Sequence, residues 1–169
     1  FTFVTDNLGN LKFKGRIRLA LADLDGDGRI DLVVGTSDGK LAYLHNEGSK
    51  AEPKWRQVEE NLAGFEAGGN PSPLLFDLDS DGLIDLIVGT EGGQVLFYRN
   101  TGQKNAPVFT RVNEALAGVS VSRNAAPAAG FVNDDALTDL IVGDFSGQLW
   151  AFVRDGGAQS LNFRLVDRR

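Results

Sequence analysis

The sequence predicts an all-β fold built from three copies of one four-stranded unit, and three observations carry that prediction. Glycine supplies 21 of 169 residues against only 5 prolines, a surplus that suits many tight turns and not a collagen-like or low-complexity chain. The strings DLDGDGRIDLVVGT at 23–36, DLDSDGLIDLIVGT at 77–90 and FVNDDALTDLIVGD at 131–144 repeat at a constant offset of 54 residues. The same offset relates KLAYLHNEG at 40–48, QVLFYRNTG at 94–102 and QLWAFVRDG at 148–156.

In the first unit the strands run from Arg18 to Ala22, Ile30 to Val34, Lys40 to His45 and Trp55 to Val58. Turn signals separate them: an acidic loop, Thr36-Ser37-Asp38-Gly39, and the polar loop from Asn46 to Lys54. The second strand (IDLVV, IDLIV, TDLIV) is β-branched and nearly continuous in apolar character, as a strand buried on both faces must be. The fourth carries an aromatic-x-x-Val pattern that occurs four times, at Phe1 to Val4, Trp55 to Val58, Phe109 to Val112 and Phe163 to Val166.

Four-stranded units at this spacing predict β-propeller blades, each sheet packed face to face on the next. A duplicated β-sandwich is the competing architecture; the equal spacing of three separate elements favours the propeller. Blade one is expected at about 17–59, blade two at about 71–113 and blade three at about 125–167, with 1–4 the outer strand of a preceding blade. Known closed propellers use about four to eight blades, so three are expected to be part of a larger ring or to pair with a second copy of the chain.

A formal charge of −6 opposes nonspecific phosphate binding and makes nucleic acid a poor partner. No apolar run approaches the ~20 residues of a membrane helix, so no membrane insertion is expected of this segment. The absence of cysteine removes disulfides, zinc-thiolate sites and thiol nucleophiles.

The acidic loop places Asp23, Asp25, Asp27 and Asp31 within nine residues, and the second places Asp77, Asp79, Asp81 and Asp85 likewise. Carboxylates so close repel one another unless a cation sits among them. Calcium suits them best, as a hard cation taking six to eight oxygens from loop positions 1, 3, 5 and 9 and a main-chain carbonyl at 7. An EF-hand would need a bidentate Glu at position 12; Val34 and Val88 stand there. Magnesium suits a cage of this size less well, and Gly26 and Gly28 let the backbone curl.

The D-x-D-x-D-G-x-x-D-L-x-V-G string at 23–35 and 77–89 resembles the calcium loops of FG-GAP/VCBS-type repeats, the blades of integrin alpha-chain propellers and of many exported proteins. The resemblance implies about seven blades, metal loops on the lower face and ligand contacts on the upper face or between blades. It gives ligand roles to Asp23, Asp25, Asp27 and Asp31 and to Asp77, Asp79, Asp81 and Asp85, with Arg29 and Leu83 supplying carbonyls. About two Ca2+ ions per chain follow. The third loop departs: Phe131, Asn133 and Ala136 replace the first two aspartates and the turn glycine, so it is expected to be metal-free or weak, with Asp139 serving the strand.

Catalytic parts are missing, and the chain is expected not to be an enzyme. The single histidine, His45, reads as a satisfied or solvent-facing strand residue, and no Ser/His/Asp or Cys/His arrangement exists. Candidate ligand contacts are weaker. Lys12, Lys14, Arg16 and Arg18 alternate with Leu11, Phe13, Ile17 and Leu19, which on an extended chain puts four cations on one face. They form either a solvated edge or an anion-binding stripe. Phe145 and Trp150 form either a sugar-stacking platform or inter-blade packing.

The expected function is a noncatalytic, calcium-stabilised recognition or adhesion module for a protein or glycan ligand. It is expected to be extracellular, cell-surface or periplasmic, where calcium reaches the ~10⁻⁴–10⁻³ M that extracellular modules require. The alternatives are the propeller part of a carbohydrate-active enzyme such as a polysaccharide lyase, with catalytic residues elsewhere, and a purely structural spacer.

Overall fold

A computed structural model describes residues 10–66, 68–113, 116, 118–157 and 160–166. The outer strand expected at 1–4 and residue 167 lie outside the described residues. Among the described residues, strands β1 (Arg18–Ala22), β2 (Asp31–Gly35), β3 (Leu41–Asn46) and β4 (Trp55–Glu59) form blade one. Blade two comprises β5 (Ser72–Phe76), β6 (Asp85–Gly89), β7 (Val95–Asn100) and β8 (Phe109–Arg111); blade three comprises β9 (Ala126–Gly130), β10 (Asp139–Gly143), β11 (Leu149–Asp155) and β12 (Asn162–Leu165). Each blade is an antiparallel sheet with its strands side by side in chain order, the fold class predicted from the repeats.

Every residue of β2 and β6 is buried, because these strands lie inside their sheets and contact apolar groups on both faces. Val33 and Leu86 point towards the contact of blades one and two, while Ile87 points towards blade three. The segments between blades supply further filling. Leu62 and Phe65 enter the first contact, where Phe65 tilts at 50° to Tyr98 with ring centroids 6.1 Å apart, and Leu116 and Val119 enter the second. Leu11, at the repeat position of Phe65, packs with Phe13 on the far face of blade one against Leu32, Val34, Ala42 and Leu44. Leu19 and Leu21 on that face are exposed, as is Leu149 on blade three.

Blade spacing is set by main-chain contact. A β-carbon at Gly35 would lie 2.0 Å from the Pro71 carbonyl oxygen, and one at Gly89 would lie 2.1 Å from that of Ala125. At Gly143, the third copy, the nearest atom would be 3.8 Å away.

The antiparallel register fixes two ends. Ala22 pairs with Asp31 and Arg18 with Gly35, so the acidic loops lie at one end of the sheets. The segments leading into β1, β5 and β9 meet the β2–β3, β6–β7 and β10–β11 turns at the other. Strand β1 packs on β5 and β5 on β9, so the first strands converge.

Candidate functional site

The acidic loops are shaped by their own carboxylates before any ion is considered. Asp23 Oδ2 accepts the Gly28 amide at 2.9 Å, and Asp77 Oδ2 accepts the Gly82 amide at the same distance. Asp27 and Asp81 accept the amides of Arg29 and Leu83, each at 2.8 Å. Gly28 and Gly82 have φ of 86° and 88°, left-handed values that a β-carbon resists. Ala136 takes the same turn at φ 58°, so the third loop keeps the shape with a side chain present.

Position nine has a second task. Asp85 accepts the Leu78 amide on Oδ2 at 3.0 Å and the Asn100 amide on Oδ1 at 2.8 Å. Asp31 does the same with Leu24 at 3.3 Å and Asn46 at 2.8 Å. Asp139 repeats it with Val132 at 3.0 Å and Arg154 at 2.9 Å, in the loop that has lost the first carboxylate. This aspartate therefore bolts the loop to the third strand of the blade, independently of any metal. Burial pushes the Asp85 carboxyl up to about 6; its two amide bonds oppose that shift, and the charges of Asp79 and Asp81 add to it.

In each of the first two loops part of the expected ligand set converges, without Asp23 and Asp31 in the first and without Asp81 in the second. Asp77, Asp79 and Asp85 each bring an oxygen within 4.8 Å of the others, as do Asp25 and Asp27 with a ring nitrogen of His45. Asp23 Oδ1 and Asp79 Oδ1 are buried without a hydrogen-bond partner, which costs on the order of 1–3 kcal/mol for a polar atom unless something satisfies it. Val34 and Val88, at the position where an EF-hand carries its last ligand, are buried strand residues.

Nitrogen-bearing side chains also reach into the loops, an arrangement the sequence reading did not include in the site. His45 Nδ1 lies 3.3 Å from Asp25 Oδ2 and 3.2 Å from Asp31 Oδ1, and Tyr43 donates its hydroxyl to Asp31 Oδ2 at 3.1 Å. Arg99, at the repeat position of His45, brings Nε to 2.7 Å from Asp79 Oδ2 but is not aligned for a hydrogen bond. Arg29 pairs with Asp27 through its side chain. In blade three, Arg154 replaces the Asn46 and Asn100 of the other blades. Its guanidinium donates to the carbonyls of Leu78 and, at 3.1 Å, Thr138, and stacks 5.4 Å over the Phe163 ring. Burial pushes its pKa below the ordinary arginine value, and the charges of Asp139, Asp79, Asp77 and Asp135 oppose that shift. The signal was present in the repeat alignment, since only blade three puts a cation there.

The four-cation stripe does not form as expected. Residues 11–17 are not in a strand, and a bend at Lys14 and Gly15, where φ is 69°, divides the segment. Lys12 and Lys14 line a groove with Asp38 and Lys40, whereas Arg16 and Arg18 line a different cavity of about 490 Å³. Arg123 and Phe145 border that cavity too. Trp150 is drawn away from Phe145 into the packing between blades two and three, with its indole donating to Asp144 Oδ2 at 3.1 Å, so the two rings make no common platform.

Residues 23–88 match the family model described as an FG-GAP-like repeat. That span takes in both complete acidic loops and supports the repeat family to which the motif pointed. The chain is 32% identical over 130 residues to the mouse BBSome complex member BBS7, covering 76% of this chain and 17% of that protein. It is 30% identical over 109 residues to the T-cell immunomodulatory protein homolog of Plasmodium falciparum, covering 53% of this chain and 15% of that protein. The chain thus spans about a sixth of the length of these curated relatives. Among the described residues, no helix is long and apolar enough to cross a membrane.

Proposed function

We propose that this chain is a noncatalytic, calcium-stabilised β-propeller module that recognises a protein or carbohydrate ligand outside the cytoplasm, whether secreted, periplasmic or at a cell surface. The observation that carries the reading is the recurrence, one repeat apart, of two acidic loops that each bury an unpartnered carboxylate oxygen, Asp23 Oδ1 and Asp79 Oδ1. Asp23, Asp25, Asp27 and Asp31 would hold one ion with the Arg29 carbonyl, and Asp77, Asp79, Asp81 and Asp85 a second with the Leu83 carbonyl. A bound ion offsets the mutual repulsion of each set. Calcium at extracellular concentrations of ~10⁻³ M fills about half to nine-tenths of sites with the ~10⁻⁴–10⁻³ M affinity such modules show, which supports the location. One relative is by name a member of a complex, which favours recognition over catalysis. The test is thermal melting after chelation and calcium titration: the melting temperature rises with calcium concentration, and an unmoved value overturns the reading.

A further inference from the structure

At the end of the blades opposite the acidic loops, we infer that the cavity bounded by Arg16, Arg18, Arg123 and Phe145 binds an acidic saccharide. The inference rests on the recognition reading above and gives it a site and a ligand class.

The cavity draws equivalent repeat positions from all three blades. Positions 16, 70 and 124 hold Arg, Asn and Asn, and positions 37, 91 and 145 hold Ser, Glu and Phe. Three guanidinium groups therefore face one carboxylate, Glu91, in a chain whose overall charge is −6. Among the described residues Arg16 and Arg18 have no carboxylate partner, and Arg123 Nη2 lies 3.8 Å from Glu91 Oε1. Planar, permanently charged guanidinium groups suit bidentate pairing with a carboxylate or sulfate.

The remaining lining selects a polyhydroxylated body over a bare anion. Asn70, Asn124 and Ser72 offer neutral donors and acceptors to hydroxyl groups, and Phe145, 70% exposed, offers an aromatic face. A volume of about 490 Å³ lies within the ~300–1,000 Å³ of small-ligand sites.

The aromatic and the arginine are held in place. The Asp144 carboxylate beside Phe145 accepts bonds from the Ser146 amide and hydroxyl, Gln148, Ser122 and Trp150. Phe145 donates its amide to the Arg123 carbonyl at 3.0 Å, Asn124 donates to Glu91 O at 2.9 Å, and the Arg123 guanidinium carbon sits 5.8 Å over the Phe145 ring. Such preorganisation lowers the ordering cost of binding.

The test is calorimetric titration of the full chain with a glucuronate-containing hyaluronan oligosaccharide, a neutral chitin oligosaccharide of equal length, and sodium sulfate. The acidic saccharide is expected to bind with an affinity that falls as salt rises, and to bind at least tenfold more tightly than the neutral one. The double variant Arg16→Gln/Arg18→Gln should weaken it at least tenfold with the melting temperature kept. Phe145→Ala should weaken the saccharide and leave sulfate unchanged. Absence of saccharide binding by the unaltered chain, equal affinity for the neutral saccharide, or full affinity in the double variant would each overturn the assignment. Calcium stabilisation, read at the opposite end of the blades, would survive any of these results, whereas its own failure would leave the titration intact.

Discussion

The Asp139 carboxylate accepts the backbone amide of Arg154 at 2.9 Å, although the loop it closes lacks two of the four carboxylates found in its siblings. Its other oxygen holds the Val132 amide at 3.0 Å, and the side chain is fully buried. Asp139→Ala would strand two amides, so a loss of about 2–4 kcal/mol in urea unfolding is expected. Asp135→Ala, on the exposed turn, should stay within about 0.5 kcal/mol. Equal effects of the two would show that the bolt carries no weight.

Ion stoichiometry separates the loops. Asp27→Ala and Asp81→Ala should each reduce bound calcium from about two ions to one, whereas Asp135→Ala should leave the count unchanged. Arg99→Ala removes the positive charge beside Asp79 and should tighten the second site, since nearby like charge opposes a cation. Metal analysis after equilibrium dialysis, with calorimetry for the Arg99 variant, reads these outcomes.

Acidity should modulate the calcium effect. With no ion bound, the Asp85 carboxyl is raised to about 6 from an ordinary value near ~4, so the folded chain holds this proton more tightly than the unfolded one. That contribution is full below pH ~4 and is lost as pH rises through ~6. Calcium favours the ionised carboxylate. The melting-temperature gain on adding calcium should accordingly be larger at pH ~6.5 than at pH ~4.5; a gain that is flat or reversed across this window contradicts the assignment.

Alanine at the repeat glycines should report the blade contacts. Gly35→Ala and Gly89→Ala force a β-carbon to within 2.0 and 2.1 Å of a carbonyl oxygen, an overlap that main chain cannot dodge cheaply. A loss of about 2–3 kcal/mol each is expected from such overpacking. Gly143→Ala meets no atom closer than 3.8 Å and should be neutral or stabilise by up to about 1 kcal/mol through the unfolded chain. Equilibrium unfolding of the three variants checks the contrast.

The blades were legible because a repeat multiplies every weak local signal by three. Trp55 opens β4 and Arg18–Ala22 delimits β1 as read from the sequence, and the spacing of the acidic loops alone marked their carboxylates as a cluster. What escaped was tertiary. His45 and Arg99 share a repeat position but not a residue type, so nothing local showed that both reach into the loops. The stripe from Lys12 to Arg18 alternates correctly for an extended chain, yet the left-handed Gly15 breaks it into two groups facing different hollows. Arg123 gave no signal as a neighbour of Arg16, because only blade packing brings residues so distant in sequence to one cavity.

Each blade thus has two polar ends joined by a buried apolar middle, and the ends are not obliged to change together. Blade three has lost two of the four loop carboxylates at one end while carrying Arg123 and Phe145 at the other, where its siblings have Gly15 and Ser37 or Gly69 and Glu91. An array of this kind can alter what it grips without redesigning what braces it, one blade at a time.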